Sequence, residues 1–337
     1  MKRIVAFLGV VCMVLMAATL VSAQTPLLAS AKQATVAIGG SKDDSEWLTV
    51  KPTASFGFRW YTNTLYTLDA HVTGIGGVFG REYEYDGSPS LYVGFRVPVT
   101  FGKRLEVALE GTWAPSVAAS RVTDQDFSAL GGILGGRDWD ASTNGVTGDL
   151  QVSYALVKDF YILKALAPIV GLRYDYWRTT YRDPHHVSPG FAVAAPTDMA
   201  DFYTSTLLPY WGIRATIGGL KTGWFGGDLN VSLLNGWTAW GKVRHREDRN
   251  AAGPRIDRFA GDLDSGSYFF DICADYTIFP FALFGANVSQ NIFLKYDMFN
   301  ADGRLIGRRY TSGESDKFDF KMNRSSITGG ISAEVTF

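Results

Sequence analysis

The sequence predicts an all-β fold, an antiparallel transmembrane β-barrel of about 10 strands, with 12 as the alternative. Three observations support this prediction: an N-terminal export signal, segments in which apolar and polar residues alternate, and short turns that alternate with long connections. The chain of 337 residues is 14% aromatic and contains 37 glycines, yet no later segment could form a spanning helix. This combination suits a membrane barrel better than a soluble domain.

The N-terminus predicts a cleaved signal peptide over residues 1–23. Two basic residues precede an apolar run at 4–20, and the run ends in Val21-Ser22-Ala23. A basic start, a short apolar centre and a small-x-small exit distinguish a leader from a membrane anchor. Cys273 is then the one cysteine of the mature sequence, so strand pairing and packing must stabilise the exported chain without a disulfide.

Residues 24–62 are predicted to precede the barrel. They hold two short apolar stretches, 34–39 and 54–61, joined by an acidic link. We expect an N-terminal extension or an extra hairpin in this segment, and the outer-membrane barrel over residues 63–337.

From residue 65 onward the alternation is regular. Leu150, Val152 and Tyr154 alternate with Gln151 and Ser153, for example. Successive side chains of a strand point to opposite faces, so one face suits lipid and the other carries polar groups. Strands are predicted at 68–82, 90–101, 104–113, 146–157, 161–177, 203–217, 224–235, 266–278, 281–298 and 324–337.

The lengths of the connections separate a membrane barrel from a soluble sandwich, which residue alternation alone cannot do. Gly102-Lys103 and Phe279-Pro280 are short turns. They alternate with long connections, as expected when one rim faces the periplasm and the other the outside. The long connections are predicted near 83–89, 114–145, 178–202, 236–265 and 299–323.

The last segment, 326–337, has one apolar and one polar face. Ile327 and Ile331 share the first face, Thr328 and Glu334 share the second, and the segment ends on Phe337. It resembles the terminal strand of bacterial outer-membrane barrels, which their assembly machinery recognises. We therefore expect an integral outer-membrane location, with membrane lipid, lipopolysaccharide and that machinery as partners.

Other classes of function find no support in the sequence. The net charge is −1 and no nucleic-acid motif is present, so no nucleic-acid partner is expected. No phosphate loop or dinucleotide fingerprint occurs, so no cofactor is expected. His185 and His186 are adjacent, and adjacent side chains rarely converge on one ion without further ligands, so no metal is expected.

Several segments, in the same order along the chain, resemble the omptins, the ten-stranded outer-membrane proteases. The most specific is Gly-Arg-Glu-Tyr-Glu-Tyr-Asp at 80–86, similar to the family's first-strand Glu-Tyr-x-Tyr. Trp113 followed by Asp-Gln-Asp-Phe at 124–127 resembles the family's Trp-then-Asp-x-Asp loop. Similar segments follow at 208–212, 228–230 and 265–269.

The resemblance implies a proteolytic site in which two aspartates face an Asp-x-His pair. Asp124 and Asp126 match the two aspartates, with Asp138 and Asp140 as substitutes. Glu82 matches the acidic group that helps to bind a basic substrate side chain.

The Asp-x-His half of that site is not matched. In one register it falls on Arg244 and Arg246, and in the other on Glu247 and Arg249. Arginine keeps its proton throughout the accessible pH range, so it cannot replace a general base. His245 is the histidine that a rebuilt loop could supply.

Two functions follow from this comparison. The first is a non-proteolytic outer-membrane barrel, either a surface or structural protein or a narrow porin, because ten strands enclose a narrow interior. The second is an omptin-type endopeptidase that cleaves near basic residues with Asp124, Asp126 and a displaced His245.

Overall fold

The computed structural model describes residues 47–72, 77–86, 89–102, 104–117, 120–127, 133–187, 199–222, 225–249, 255–283, 286–309 and 315–336. The predicted signal peptide and residues 24–46 lie outside these ranges. Within the described residues no helix is long and apolar enough to cross a membrane.

The regular elements of the described chain are β-strands. In chain order they are β1 (Leu48–Val50), β2 (Thr53–Val72), β3 (Gly77–Asp86), β4 (Ser90–Phe101), β5 (Leu105–Pro115), β6 (Ser120–Phe127), β7 (Ile133–Tyr154), β8 (Val157–Phe160), β9 (Leu163–Val187), β10 (Met199–Thr222), β11 (Phe225–Trp237), β12 (Trp240–Arg249), β13 (Arg255–Leu263), β14 (Tyr268–Leu283), β15 (Ala286–Arg309) and β16 (Ser315–Thr336).

Antiparallel pairing closes these strands into a ring at two levels. Nearer the short turns, the ring runs β2–β4–β5–β7–β9–β10–β11–β14–β15–β16 and returns to β2. Farther along, it runs β2–β3–β6–β7–β9–β10–β12–β13–β15–β16 and again returns to β2. We call these two levels the turn end and the loop end. A closed ring leaves no unpaired edge, which is the condition for a sheet in lipid.

The barrel wall begins earlier than the predicted boundary at residue 63. Residues 53–62 belong to β2, where Thr53 pairs with Glu334 of the last strand. The predicted first strand, 68–82, is divided between the end of β2 and β3. The apolar stretch 54–61, predicted to belong to an extension or an extra hairpin, is thus part of the barrel wall. Within it Gly57 pairs with Gly330, and a Cβ on Gly57 would lie 2.2 Å from the carbonyl oxygen of Gly329, so the two backbones approach closely at this seam.

Much of the predicted long connections is also strand. The segment 114–145 holds β6 and the first part of β7, and 236–265 holds β12 and β13. β9, β10, β15 and β16 likewise extend into the other predicted loops. Beyond the bilayer a strand needs no apolar outer face, so the lipid-type pattern ends while the pairing continues.

The last strand, β16, shows this change of surroundings directly. Toward the turn end, Ile327 and Ile331 face outward and are exposed, while Thr328 is buried in the lumen. Toward the loop end, Lys321 faces outward and Phe320 is buried inside. The outer surface is therefore apolar at the turn end and polar at the loop end, and the lumen shows the reverse.

Neighbouring strands continue the apolar outer surface as a belt. On β9 the outward residues run from Leu166 to Tyr176, about the 9–11 residues that a tilted strand needs to cross a bilayer. Exposed members of the belt on other strands include Phe58, Trp60, Phe95, Leu109, Trp113, Val146, Leu150, Trp211, Ile213, Leu233, Ile272, Ile292 and Leu294.

A charge placed in this belt should destabilise the barrel. Ile331→Lys puts an ammonium group in the middle of the apolar stripe of β16, and we expect the unfolding free energy to fall by about 2–4 kcal/mol. Urea unfolding in phospholipid vesicles measures this change. The matched control Asn323→Lys lies on the same face beyond the belt and should cost less than about 1 kcal/mol. Equal losses in the two variants would contradict the assigned belt.

Candidate functional site

The candidate site lies in the lumen toward the loop end, centred on β12. His245 and Glu247 are 1% and 3% exposed, whereas Arg244 and Arg246, which alternate with them, are exposed on the outer surface. The two-residue period of the strand therefore turns the histidine and the glutamate inward and both arginines away. Neither arginine can contribute to chemistry in the lumen.

His245 is held by three side chains. Its Nε2 atom lies 3.0 Å from Oε1 of Glu247 and 3.4 Å from the hydroxyl of Tyr83. Its Nδ1 atom lies 3.4 Å from the hydroxyl of Tyr66. The imidazole has no exposed side-chain surface, so these contacts fix its orientation inside the barrel.

Glu247 connects two opposite walls of the barrel. Its Oε1 atom accepts a hydrogen bond of 2.7 Å from Nη1 of Arg81 and one of 2.5 Å from the Tyr83 hydroxyl. Both donors belong to β3, which stands opposite β12 in the ring at the loop end. A buried carboxylate is tolerated when a guanidinium and further donors satisfy it, as here. The ion pair between Arg81 and Glu247 therefore spans the lumen.

Stacked aromatic rings fill the remaining space at this level. The ring of Tyr66 lies between those of Tyr83 and Phe202, with centroid distances of 4.5 Å and 4.1 Å. Its hydroxyl lies 2.8 Å from that of Tyr181 on β9. Burial raises the pKa of the Tyr66, Tyr83 and Tyr181 hydroxyls above the ordinary value, so all three stay neutral and act as hydrogen-bonding groups.

Asp124 belongs to the same cluster. It lies on β6 opposite Tyr83 in the strand register and is 4% exposed. After burial, its negative charge is a further cause that raises the pKa of Tyr66, Tyr83 and Tyr181, so the carboxylate stands near all three hydroxyls. Asp124 and His245 are thus both neighbours of Tyr83, the first through the strand register and the second through its Nε2 atom. Asp126 also lies on β6, but its side chain is outside the described residues.

Three other predicted site residues lie on the outer face and do not join the cluster. On β3, Tyr83 is buried in the lumen, so Glu82 beside it points outward. On β7, Trp139 is buried in the lumen, so Asp138 and Asp140 on either side of it point outward. The resemblance matched these residues by type and spacing in sequence, and the strand period turns each of them away from His245.

Sequence reasoning missed most of the cluster around His245. Tyr66, Arg81, Tyr83 and Tyr181 lie on strands far from β12 in the chain, and no local pattern connects them with His245. Glu247 could have been found, because a residue two positions from His245 on a strand must share its face.

Metal binding finds no support in the described part of the chain. No group of three or more His, Cys, Asp or Glu side chains there is arranged to hold an ion. The side chains of His71, His185 and His186 lie outside the described residues.

A second layer of charges crosses the lumen at the level of the membrane. Nη2 of Arg324 on β16 donates to Asp175 on the opposite strand β9 at 2.6 Å. Arg173 bridges Asp149 and Asp271, at 3.0 Å to each. The cavity among these groups is about 30 Å³, which holds only about two water molecules. The lumen is thus occupied by protein at this level also.

The closed ring, the apolar belt and the polar lumen define a class, the β-barrels of the bacterial outer membrane. Among solved structures the chain is similar to the outer-membrane protease OmpT of Escherichia coli, with a TM-score of 0.59 and 13% identity over 86% of this chain and 97% of that chain. It also matches the outer membrane protein OprG of Pseudomonas aeruginosa, with a TM-score of 0.30 and 12% identity over 84% and 95% of the two chains.

No protein-family model matches the sequence, and no curated protein matches it. At 13% identity the likeness to OmpT shows the fold alone. It confirms the prediction of an omptin-like outer-membrane β-barrel fold. The expected integral location in the outer membrane and the cleaved signal peptide stay predictions. Catalysis does not follow from this likeness.

Because the pKa of the buried tyrosines is raised in the folded state, the unfolding free energy should fall as the pH becomes alkaline. Because the folded-state pKa lies above the unfolded value of 10.0, the stabilisation is complete below that pH and is lost as pH rises through the folded-state pKa. We expect the unfolding free energy of Tyr181→Phe to fall less steeply above pH 10.0 than that of the wild type. Urea unfolding followed by tryptophan fluorescence across an alkaline pH series gives both slopes.

The matched control is Thr204→Val, which removes a buried hydroxyl that is not a titratable group. This control should keep the alkaline slope of the wild type. Equal slopes for Tyr181→Phe and the wild type would show that the buried hydroxyl does not resist ionisation.

Proposed function

We propose that this protein is a non-proteolytic β-barrel of the bacterial outer membrane that serves as a surface or structural protein. The contact between Arg81 and Glu247 is the observation that supports this proposal. A protease of omptin type needs a groove between an acidic wall and a histidine wall. Here the wall of β3 touches the wall of β12, and the stacked rings of Tyr66, Tyr83 and Phe202 occupy the space beside them.

The state of His245 supports the same proposal. A general base must come within hydrogen-bonding reach of the water or the substrate proton that it removes. Both imidazole nitrogens of His245 instead face protein side chains, and the ring has no exposed surface. In this arrangement the histidine packs and orients its neighbours, and Glu247 is neutralised by Arg81.

The narrow-porin form of the predicted function receives no support from the lumen. Ion pairs cross the barrel at the level of the belt, between Arg324 and Asp175 and between Arg173 and Asp271. Nearer the turn end, Arg96 and Arg214 both bind Glu106, at 2.6 Å and 2.8 Å. Conduction of hydrated ions would require these successive layers to open together.

One observation favours the alternative, an omptin-type endopeptidase. Asp124 and His245 lie on different walls of the barrel and belong to one cluster, as the resemblance to the omptins implies for an acid and a histidine. Hydrolysis would require the contact between Arg81 and Glu247 to break, so that a water and a peptide could enter between them.

A peptide-cleavage assay tests the proposal against this alternative. The barrel is refolded in detergent with lipopolysaccharide and offered peptides that contain paired basic residues. We expect no cleavage above that of detergent alone, because His245 is inaccessible. Cleavage that is lost in Asp124→Asn and kept in the outer-face control Asp138→Asn would overturn the proposal. Cleavage that both variants retain would identify a contaminating protease.

Conductance in planar bilayers tests the closed lumen separately. We expect the wild-type barrel to give no discrete current steps, because charged side chains fill the lumen at several levels. Before recording, the shift in gel mobility on heating confirms that the sample is a folded barrel. Reproducible steps from such a sample would show that the charged layers open, and would favour the porin.

A further inference from the structure

An exposed apolar tip lies at the turn end of the barrel, in the hairpin of β8 and β9. Phe160, Tyr161 and Ile162 form the tip and are 60%, 91% and 66% exposed. Leu156, just before β8, is 60% exposed as well. Turns between strands are normally polar and rich in Gly or Asn, so consecutive large apolar residues at such a turn require an explanation.

The backbone conformation of the hairpin does not explain why large apolar residues occupy its tip. Asp159 and Tyr161 have φ angles of 54° and 53°, in the left-handed region that favours Gly or Asn. A glycine at residue 161 would form the same turn without the steric cost of a side chain. The turn therefore carries an apolar side chain at a position where local folding disfavours one.

The position of the tip relative to the belt supplies the reason. The outward stripe of β9 ends in Tyr174 and Tyr176 at its outer limit and leads down through Leu166 to the hairpin. From Tyr176 to Tyr161, at about 3.3 Å per residue and a tilt of about 40°, the strand covers roughly 38 Å along the membrane normal. This is close to the ~40–45 Å of a bilayer with its headgroup regions. The tip thus reaches the level of the opposite headgroups.

We propose that residues 160–162 insert into the phospholipid headgroup region of the periplasmic leaflet and anchor the turn end of the barrel. Tyrosine suits this region, because its apolar ring meets lipid while its hydroxyl meets water. Phe160 and Ile162 add apolar surface on either side of Tyr161. The tip continues a surface that already faces lipid, since Val157 on β8 pairs with Leu166 of the belt. Lys164 and Asp228 form a partly exposed ion pair at 2.7 Å close to the tip in β9, which suits a polar headgroup region.

A fluorescent probe at the tip tests the proposal. Tyr161→Cys in a Cys273→Ser background is labelled with a polarity-sensitive fluorophore and refolded into vesicles of phosphatidylethanolamine and phosphatidylglycerol. We expect a blue-shifted emission, strong quenching by lipids with a nitroxide near the headgroup, and several-fold weaker quenching by aqueous iodide than at the control position. The matched control is Arg304→Cys, whose native side chain is 84% exposed at the loop end.

The outcomes separate the phospholipid from other occupants. Equal iodide quenching at residues 161 and 304 would overturn the proposal and leave the tip free to bind a periplasmic protein. Ile162→Cys is a second labelling site should the probe at residue 161 disturb the turn, and the heat-dependent gel shift shows which labelled barrels are folded. A water-exposed probe at both tip positions would reject membrane insertion, whatever the barrel does in the protease and conductance assays.

Discussion

The structure depends on the requirement that every backbone amide in the membrane has a hydrogen-bond partner. Lipid offers none, so the sheet must close on itself. Closure occurs where β16 pairs with β2 along most of its length, from Glu334 opposite Thr53 to Phe318 opposite Ala70. Facing glycines, Gly57 and Gly330, let the two backbones approach at this seam. Without the seam the first and last strands would be open edges in the bilayer.

Closure also determines what the interior must contain. Inward side chains from opposite strands meet across a narrow lumen, where an unpaired charge or hydroxyl would be costly. The barrel meets this constraint with two kinds of layer: ion pairs such as Arg324 with Asp175 at the level of the belt, and stacked rings around Tyr66 toward the loop end. Removing one partner of a buried ion pair costs about 3–5 kcal/mol, because the other charge is left buried and unpaired. The ion pairs link opposite walls, so these layers stabilise the closed ring.

Close packing in the lumen also decides whether the residues that suggest catalysis can react. A histidine beside a carboxylate can be a reactive pair in an open groove or a satisfied pair in a packed core. His245 and Glu247 are in the second situation, because Arg81 and Tyr83 reach them from the opposite wall. Access to solvent separates the two cases, and access is a property of the assembled barrel.

The sequence by itself determined the class of the protein. Alternation in segments such as 146–157 and the turn at Gly102 predict an antiparallel membrane barrel, because a lipid-facing strand has a two-residue pattern that any window of the chain reveals. The strands beyond the bilayer escaped prediction, since water imposes no apolar outer face on β12 or β13. Asp124, matched by the resemblance, and His245, offered as a displaced substitute, are both buried, and their catalytic role stays a prediction.

Only the tertiary structure decided what that candidate site contains. It turned Glu82, Asp138 and Asp140 outward, and it brought Arg81 and Tyr83 from β3 to Glu247 on β12. The physical reason is that strand parity decides which face a side chain takes, and ring closure decides which distant strands face each other. A register shift of a single residue moves every side chain of a strand to the opposite face. Which strands face each other depends on pairings between segments hundreds of residues apart, such as β2 and β16.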